Sequence, residues 1–138
     1  MGLDTSHNCW SGPYSSFMRW RRQIAEAAKW PPLDLMAGFY SEEYVPEDRL
    51  RTRPATDLDN VRRQLPISWD PFKRDVLAIL LNHSDCDGEI EWGHCAALAD
   101  RLEGLVPALN DREALENTRQ FIVGLRTAHD AGESVEFH

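Results

Sequence analysis

The sequence predicts a mainly α fold: one compact helical domain over residues 1–138, with a helix-loop-helix unit and a small two-stranded β element. Three observations predict it. Apolar residues recur at helical spacing in four stretches. Three of these open on a capping or first-turn signal: Gly12-Pro13, Asp70-Pro71 and Asn110-Asp111-Arg112-Glu113. A length of 138 residues with a hydrophobic fraction of 42% suits one core and leaves too little for a second.

The first helix is expected over Tyr14–Lys29, with Phe17, Ile24 and Ala28 on its buried stripe and Trp30-Pro31-Pro32 ending it. Leu33–Tyr40 predicts a short second helix, weakened by Gly38. Residues Ser41–Asn60 mix charges with Pro46 and Pro54 and lack periodicity, so they read as a long surface connection of the kind used for lids and binding elements. Leu65–Trp69 reads as a short strand. Asp70-Pro71 then opens a helix to about Leu81, with Phe72, Val76, Ile79 and Leu80 inward. After a polar loop, Cys95, Leu98, Leu102 and Leu105 mark a helix over Trp92–Val106, stopped by Pro107. A capping box at Asn110–Glu113 starts a last helix to about His129, burying Leu115, Ile122 and Leu125, and Gly132 releases the chain. The alternation in Ser134–Phe137 predicts a terminal strand beside Leu65–Trp69, with a frayed tail as the alternative.

Composition narrows the function classes. No run approaches the roughly 18 apolar residues of a membrane span, and the N-terminus carries no basic region followed by an apolar one, so a soluble cytoplasmic protein with no membrane partner is expected. Three cysteines, Cys9, Cys86 and Cys95, without scaffold spacing predict free thiols. Fifteen Lys and Arg against 23 Asp and Glu give a net charge of −8, which opposes general DNA binding. Basic residues do gather at Arg19, Arg21, Arg22 and Lys29, and again at Arg49, Arg51, Arg53, Arg62 and Arg63. One small anion is within reach of such a group.

The densest chemistry lies in the loop Asn82–Glu89, where His83, Ser84, Asp85, Cys86, Asp87 and Glu89 surround Gly88. Asp85, Asp87, Gly88 and Ile90 resemble the central turn of an EF-hand calcium loop, but His83 and His94 stand where its two anchoring carboxylates belong, which implies poor calcium affinity. Zinc is a second metal reading through His83, Cys86, His94 and Cys95, yet adjacent His94 and Cys95 point to different sides of a helix. Should a metal bind, its ligands are expected among Asp85, Asp87, Glu89 and His83. The bland alternative is helix capping by the acids, with Gly88 making the turn.

The second cluster is Asp4–Tyr14. Trp10 and Tyr14 offer faces for a planar ligand, while Asp4, Ser6 and His7 offer polar edges; the alternative is that Trp10 staples the first helix. With Arg19 to neutralise a phosphate and Asn82, His83, Asp85, Asp87 and Glu89 as a facing wall, the two clusters predict a non-enzymatic protein that binds a small, nucleotide-like ligand. No phosphate-binding glycine loop, Rossmann fingerprint or HExxH motif is present. A metal-binding protein or metal-dependent hydrolase using the Asn82–Glu89 loop is one alternative, and a module that binds a host protein through its acidic surface is another.

The segments GLDTSHNCW (2–10), SSFMRWR (15–21), LNHSDCDGEI (81–90) and VEFH (135–138) together resemble a family of small hypothetical proteins of bacteriophages and prophages. The resemblance spans most of the chain. It implies a phage protein acting in the host cytoplasm and, by analogy with small phage inhibitors of bacterial defence, sequestration of a nucleotide-derived signal. It carries over no catalytic residues.

Overall fold

The computed structural model describes residues 2–36, 67–84 and 87–138, and its fold is mainly α. Helix α1, Tyr14–Ala27, buries Phe17, Met18, Trp20, Arg21, Ile24 and Ala25 on one face, and Ala28 is only half-buried. It stops two residues before the expected end because Lys29 adopts the left-handed conformation (φ 62°). There the Lys29 N–H donates to Glu26 and the Trp30 N–H to Ala25, which satisfies the last carbonyls without continuing the helix. Of the expected helix over Leu33–Tyr40, the described part is a single 3-10 turn, Leu33–Leu35, followed by extended Met36.

The helix predicted to begin at Asp70 is interrupted. A 3-10 turn at Asp70–Phe72 leads through turns into helix α2, Leu77–Leu81. The cause is Asp75, whose carboxylate accepts the Leu77 N–H at 3.0 Å and so replaces the backbone carbonyl expected there. The same carboxylate receives Arg101 through two bonds of 3.2 and 3.1 Å and the Trp30 indole N–H at 3.3 Å. The buried positions are therefore Leu77, Leu80 and Leu81, with Phe72, Val76 and Ile79 half-buried against them.

Helices α3, Trp92–Leu105, and α4, Arg112–Ala131, are antiparallel: the Trp92 indole donates to the His129 carbonyl at 2.8 Å, and Arg126 reaches back to Asp100 at 3.0 Å. All four residues expected on the α3 stripe are buried. On α4, Ile122 and Leu125 are buried as expected, but Leu115 is half-buried, and Ala114, Thr118, Phe121 and Ala128 complete the stripe. The cap lies one residue later than the box predicted: the Asp111 carboxylate, not Asn110, accepts the Ala114 N–H at 2.9 Å. Gly132 closes the helix at φ 69°, a conformation that needs no Cβ.

Two short antiparallel pairs, β1 (Gly2–Asp4) with β2 (Ser11–Pro13) and β3 (Glu89–Ile90) with β4 (Val135–Glu136), complete the described fold. The terminal strand thus forms beside Glu89–Ile90 and not beside Leu65–Trp69, where Ile67 makes one isolated parallel bridge to Met36. The left-handed turn at Gly132 sends the chain back toward the start of α3, where the Ser134 hydroxyl accepts the Trp92 N–H at 3.0 Å. The tail does not fray. Phe137 is bridged to Thr5 on one side and donates its N–H to Gly88 on the other, while Asp4 and His138 exchange two backbone bonds.

The core joins these parts through aromatic rings. Trp20 lies 4.9 Å from Phe121 and 5.3 Å from Trp10, and Phe17 bridges Trp10 and Phe137. The expected connection over Ser41–Asn60 and its arginines lie outside the described residues. Among those described, no helix is long and apolar enough to cross a membrane.

Candidate functional site

The two polar clusters singled out from sequence lie on opposite edges of the C-terminal strand. The N-terminal segment is held by Thr5, by the backbone of Asp4 and by Ser6, whose hydroxyl accepts the Glu136 N–H at 2.8 Å. The loop Asn82–Glu89 is held on the other edge by Gly88 and Glu89. They are neighbours, but one strand separates them.

Within the loop, His83 is turned inward to close it. Its ring lies 4.1 Å from the Phe137 ring, Nδ1 is 2.7 Å from the Ser84 carbonyl, and Nε2 is 2.9 Å from the Glu89 carbonyl. Both nitrogens are thereby engaged with backbone. Asn82 ends α2 and is exposed, as are Asp87 and Glu89; Asp85 and Cys86 lie outside the described residues. Among the described residues no three His, Cys, Asp or Glu side chains converge as metal ligands. His94 is exposed beside Glu91, whereas neighbouring Cys95 is fully buried and donates toward the Glu91 carbonyl.

The arginine cluster disperses in three directions. Arg19 pairs with Glu113 at 3.0 Å and Arg22 with Asp34 at 2.9 Å, both near the surface. Arg21 is 1% exposed. Its guanidinium donates to the carbonyls of Leu80, Leu81 and His83, packs over Phe17, and contacts the Met18 sulfur. It therefore fixes the entry to the Asn82–Glu89 loop instead of facing an outside anion.

Trp10, expected across the mouth of a pocket, is buried against Phe17 and Trp20, so the stapling alternative describes its position. Tyr14 is half-buried at the core edge. Asp4 is exposed and accepts the Ser11 hydroxyl at 2.6 Å. The remaining N-terminal candidates form a chain: the Ser6 hydroxyl is 2.8 Å from His7 Nδ1, and His7 Nε2 is 3.4 Å from Glu133. His7 and Asn8 both sit at positive φ, 59° and 58°, a strained arrangement for two successive side-chain-bearing residues.

That strained turn is pressed against α4. A methyl group on Gly124 would stand 2.8 Å from the His7 carbonyl oxygen and collide with the Cys9 sulfur, and the Gln120 amide donates to the Asn8 carbonyl at 3.0 Å. Burial pushes the Cys9 thiol up to about 12, against a smaller opposing effect from Thr5, so this cysteine is a packing group and not a nucleophile. Beside the contact lies a hollow of about 390 Å³ lined by His7, Asn8, Arg119, Gln120, Val123 and Gly124. A second hollow, about 380 Å³, lies between Gln23, Glu26 and Lys29 of the α1 end and residues Ala108–Asp111. Neither is lined by a described residue of the Asn82–Glu89 loop.

Arg119, Gln120 and Val123 carry no motif and escaped the sequence reading. Gly124 was the available signal, since glycine within a helix costs roughly 1 kcal/mol relative to alanine, but Gly93 and Gly104 of α3 give the same signal with nothing within 4 Å, so sequence does not single it out. Compared with protein-family models, curated proteins and solved structures, the chain matches none.

Proposed function

We propose that this protein is a non-enzymatic small-ligand-binding protein whose ligand occupies the hollow between the His7–Asn8 turn and the middle of α4. The observation that carries this reading is Arg119. Arg119 lines the hollow and has no ion-pair partner among the described residues, while Arg112 and Arg126 of the same helix are paired with Glu116 and with Asp100 and Glu103. The volume falls in the range of small-molecule sites, roughly 300–1,000 Å³. A strained turn locked onto a helix also presents a wall that needs little reordering on binding.

A nucleotide-like ligand fits these walls: Arg119 suits a phosphate, and Val123 and the Gly124 backbone offer an apolar floor for a base. The role we attach to it is that of a phage protein sequestering a nucleotide-derived signal of bacterial defence in the host cytoplasm, a role that rests on the resemblance to phage proteins. The test is thermal unfolding of the purified protein against a broad panel of nucleotides. Binding to the native state raises Tm with ligand concentration, and Arg119→Gln reduces the rise. A flat response across the panel overturns the reading.

A further inference from the structure

We infer that the ligand of this hollow carries a single anionic group on a planar or apolar body, and that Arg119 holds that group. This names the ligand class of the proposed site and rests on that reading.

Of the polar side chains around the hollow, His7 already faces the Ser6 hydroxyl with Nδ1 and Glu133 with Nε2. The Gln120 amide nitrogen is directed at the Asn8 carbonyl. Asn8 is exposed and adds a neutral amide. Among the described residues, that leaves Arg119 as the one permanent cation lining the hollow. A guanidinium pairs with a single carboxylate or phosphate through two parallel bonds, and its flat face stacks on a planar group. The rest of the wall is apolar: Val123 is 64% exposed, and Gly124 contributes bare backbone.

Among the described residues, a second anionic group would meet no further cation there. It would instead approach Glu133, whose side chain is 62% exposed on the far side of His7, on a molecule of net charge −8. Such a surface repels a polyanion over a distance of about 8 Å at physiological salt. Charge in the ligand therefore helps once and then stops helping. A site for a polyphosphate would behave in the opposite way, gaining affinity with each added charge.

The test uses three ligands with the same base: uncharged adenosine, singly charged 3′,5′-cyclic AMP and multiply charged ATP, titrated calorimetrically into the full chain at fixed ionic strength. The expected result is that cyclic AMP binds about tenfold tighter than adenosine and ATP no tighter than cyclic AMP. Arg119→Gln brings cyclic AMP to the affinity of adenosine and leaves adenosine unchanged; its unaltered Tm without ligand shows that the fold is intact. Equal binding of adenosine and cyclic AMP, tighter binding of ATP, or indifference to Arg119→Gln overturns the inference while leaving a ligand-binding protein. No binding of any of the three overturns the inference, and a flat response across the wider nucleotide panel removes the small-ligand reading as well.

Discussion

Replacing Gly124 by alanine tests the packing that creates the candidate site. On helical propensity alone the change stabilises by roughly 1 kcal/mol. The added methyl, however, collides with Cys9 Sγ and meets the His7 carbonyl oxygen at 2.8 Å and Cys9 Cα at 2.9 Å, and two of these three are backbone atoms that no rotamer change can clear. Forcing a methyl into such a contact costs about 1–3 kcal/mol. The expected net effect is destabilisation of up to roughly 2 kcal/mol, with the N-terminal segment lifted from α4 and the Gln120 bond to Asn8 lengthened. Gly104→Ala is the matched control, because nothing lies within 4 Å of a methyl at that position on α3. It should stabilise by roughly 0.5–1 kcal/mol. Urea unfolding of the two variants should therefore give shifts of opposite sign, and thiol labelling should show Cys9 reacting faster in Gly124→Ala alone. If both variants gain stability equally, the strained turn is not seated on α4 and the hollow described beside it does not exist.

Other consequences follow from single side chains. Lys29→Gly should stabilise by roughly 0.5–1 kcal/mol because glycine carries no penalty at φ 62°, whereas Gly132→Ala, at φ 69°, should lose about 1 kcal/mol; thermal unfolding separates them. Trp20→Phe removes the 2.9 Å bond from its indole to the buried Thr118 hydroxyl, while the Trp10 indole N–H has no partner among the described residues. The Trp20 substitution should thus cost about 1 kcal/mol more than Trp10→Phe in denaturant unfolding, and equal losses would contradict the assignment. Burial works to raise Asp75, but the Arg101 guanidinium and the Leu77 N–H outweigh it and hold the carboxyl below its usual range. A folded value below the unfolded one means stability present above the ordinary carboxylate range and lost as pH falls through the folded value. Asp75→Asn should be destabilising at neutral pH, with its deficit shrinking on acidification; a deficit constant down to strong acid argues against the Arg101 pair. In the native state at neutral pH, Cys9 and Cys95 should resist a charged thiol reagent until denaturant is added, since both are fully buried and burial raises both thiols.

The elements legible in the sequence are those whose physics is local. The periodicity of Phe17 and Ile24, of Cys95, Leu98, Leu102 and Leu105, and of Ile122 and Leu125 located α1, α3 and α4 because a helix repeats its buried face every few residues. Gly132 marked the end of α4 for an equally local reason. The interruption before α2 was not legible, because it depends on Asp75 being occupied at once by Leu77, Arg101 and Trp30, residues up to 45 positions away. Nor could composition tell that Arg21 would be buried among carbonyls of the α2 end while Arg119, on a helix face with no motif, would be left facing a hollow. Charge and residue type belong to the sequence, but whether a guanidinium is already paired depends on which distant groups the fold brings within about 4 Å of it. The sequence by itself determined α1, α3 and α4 and the polar character of two segments. Only tertiary packing decided that a strand would come between those segments, and that Gly124, by admitting the His7–Asn8 turn to the surface of α4, would set the wall of the candidate site.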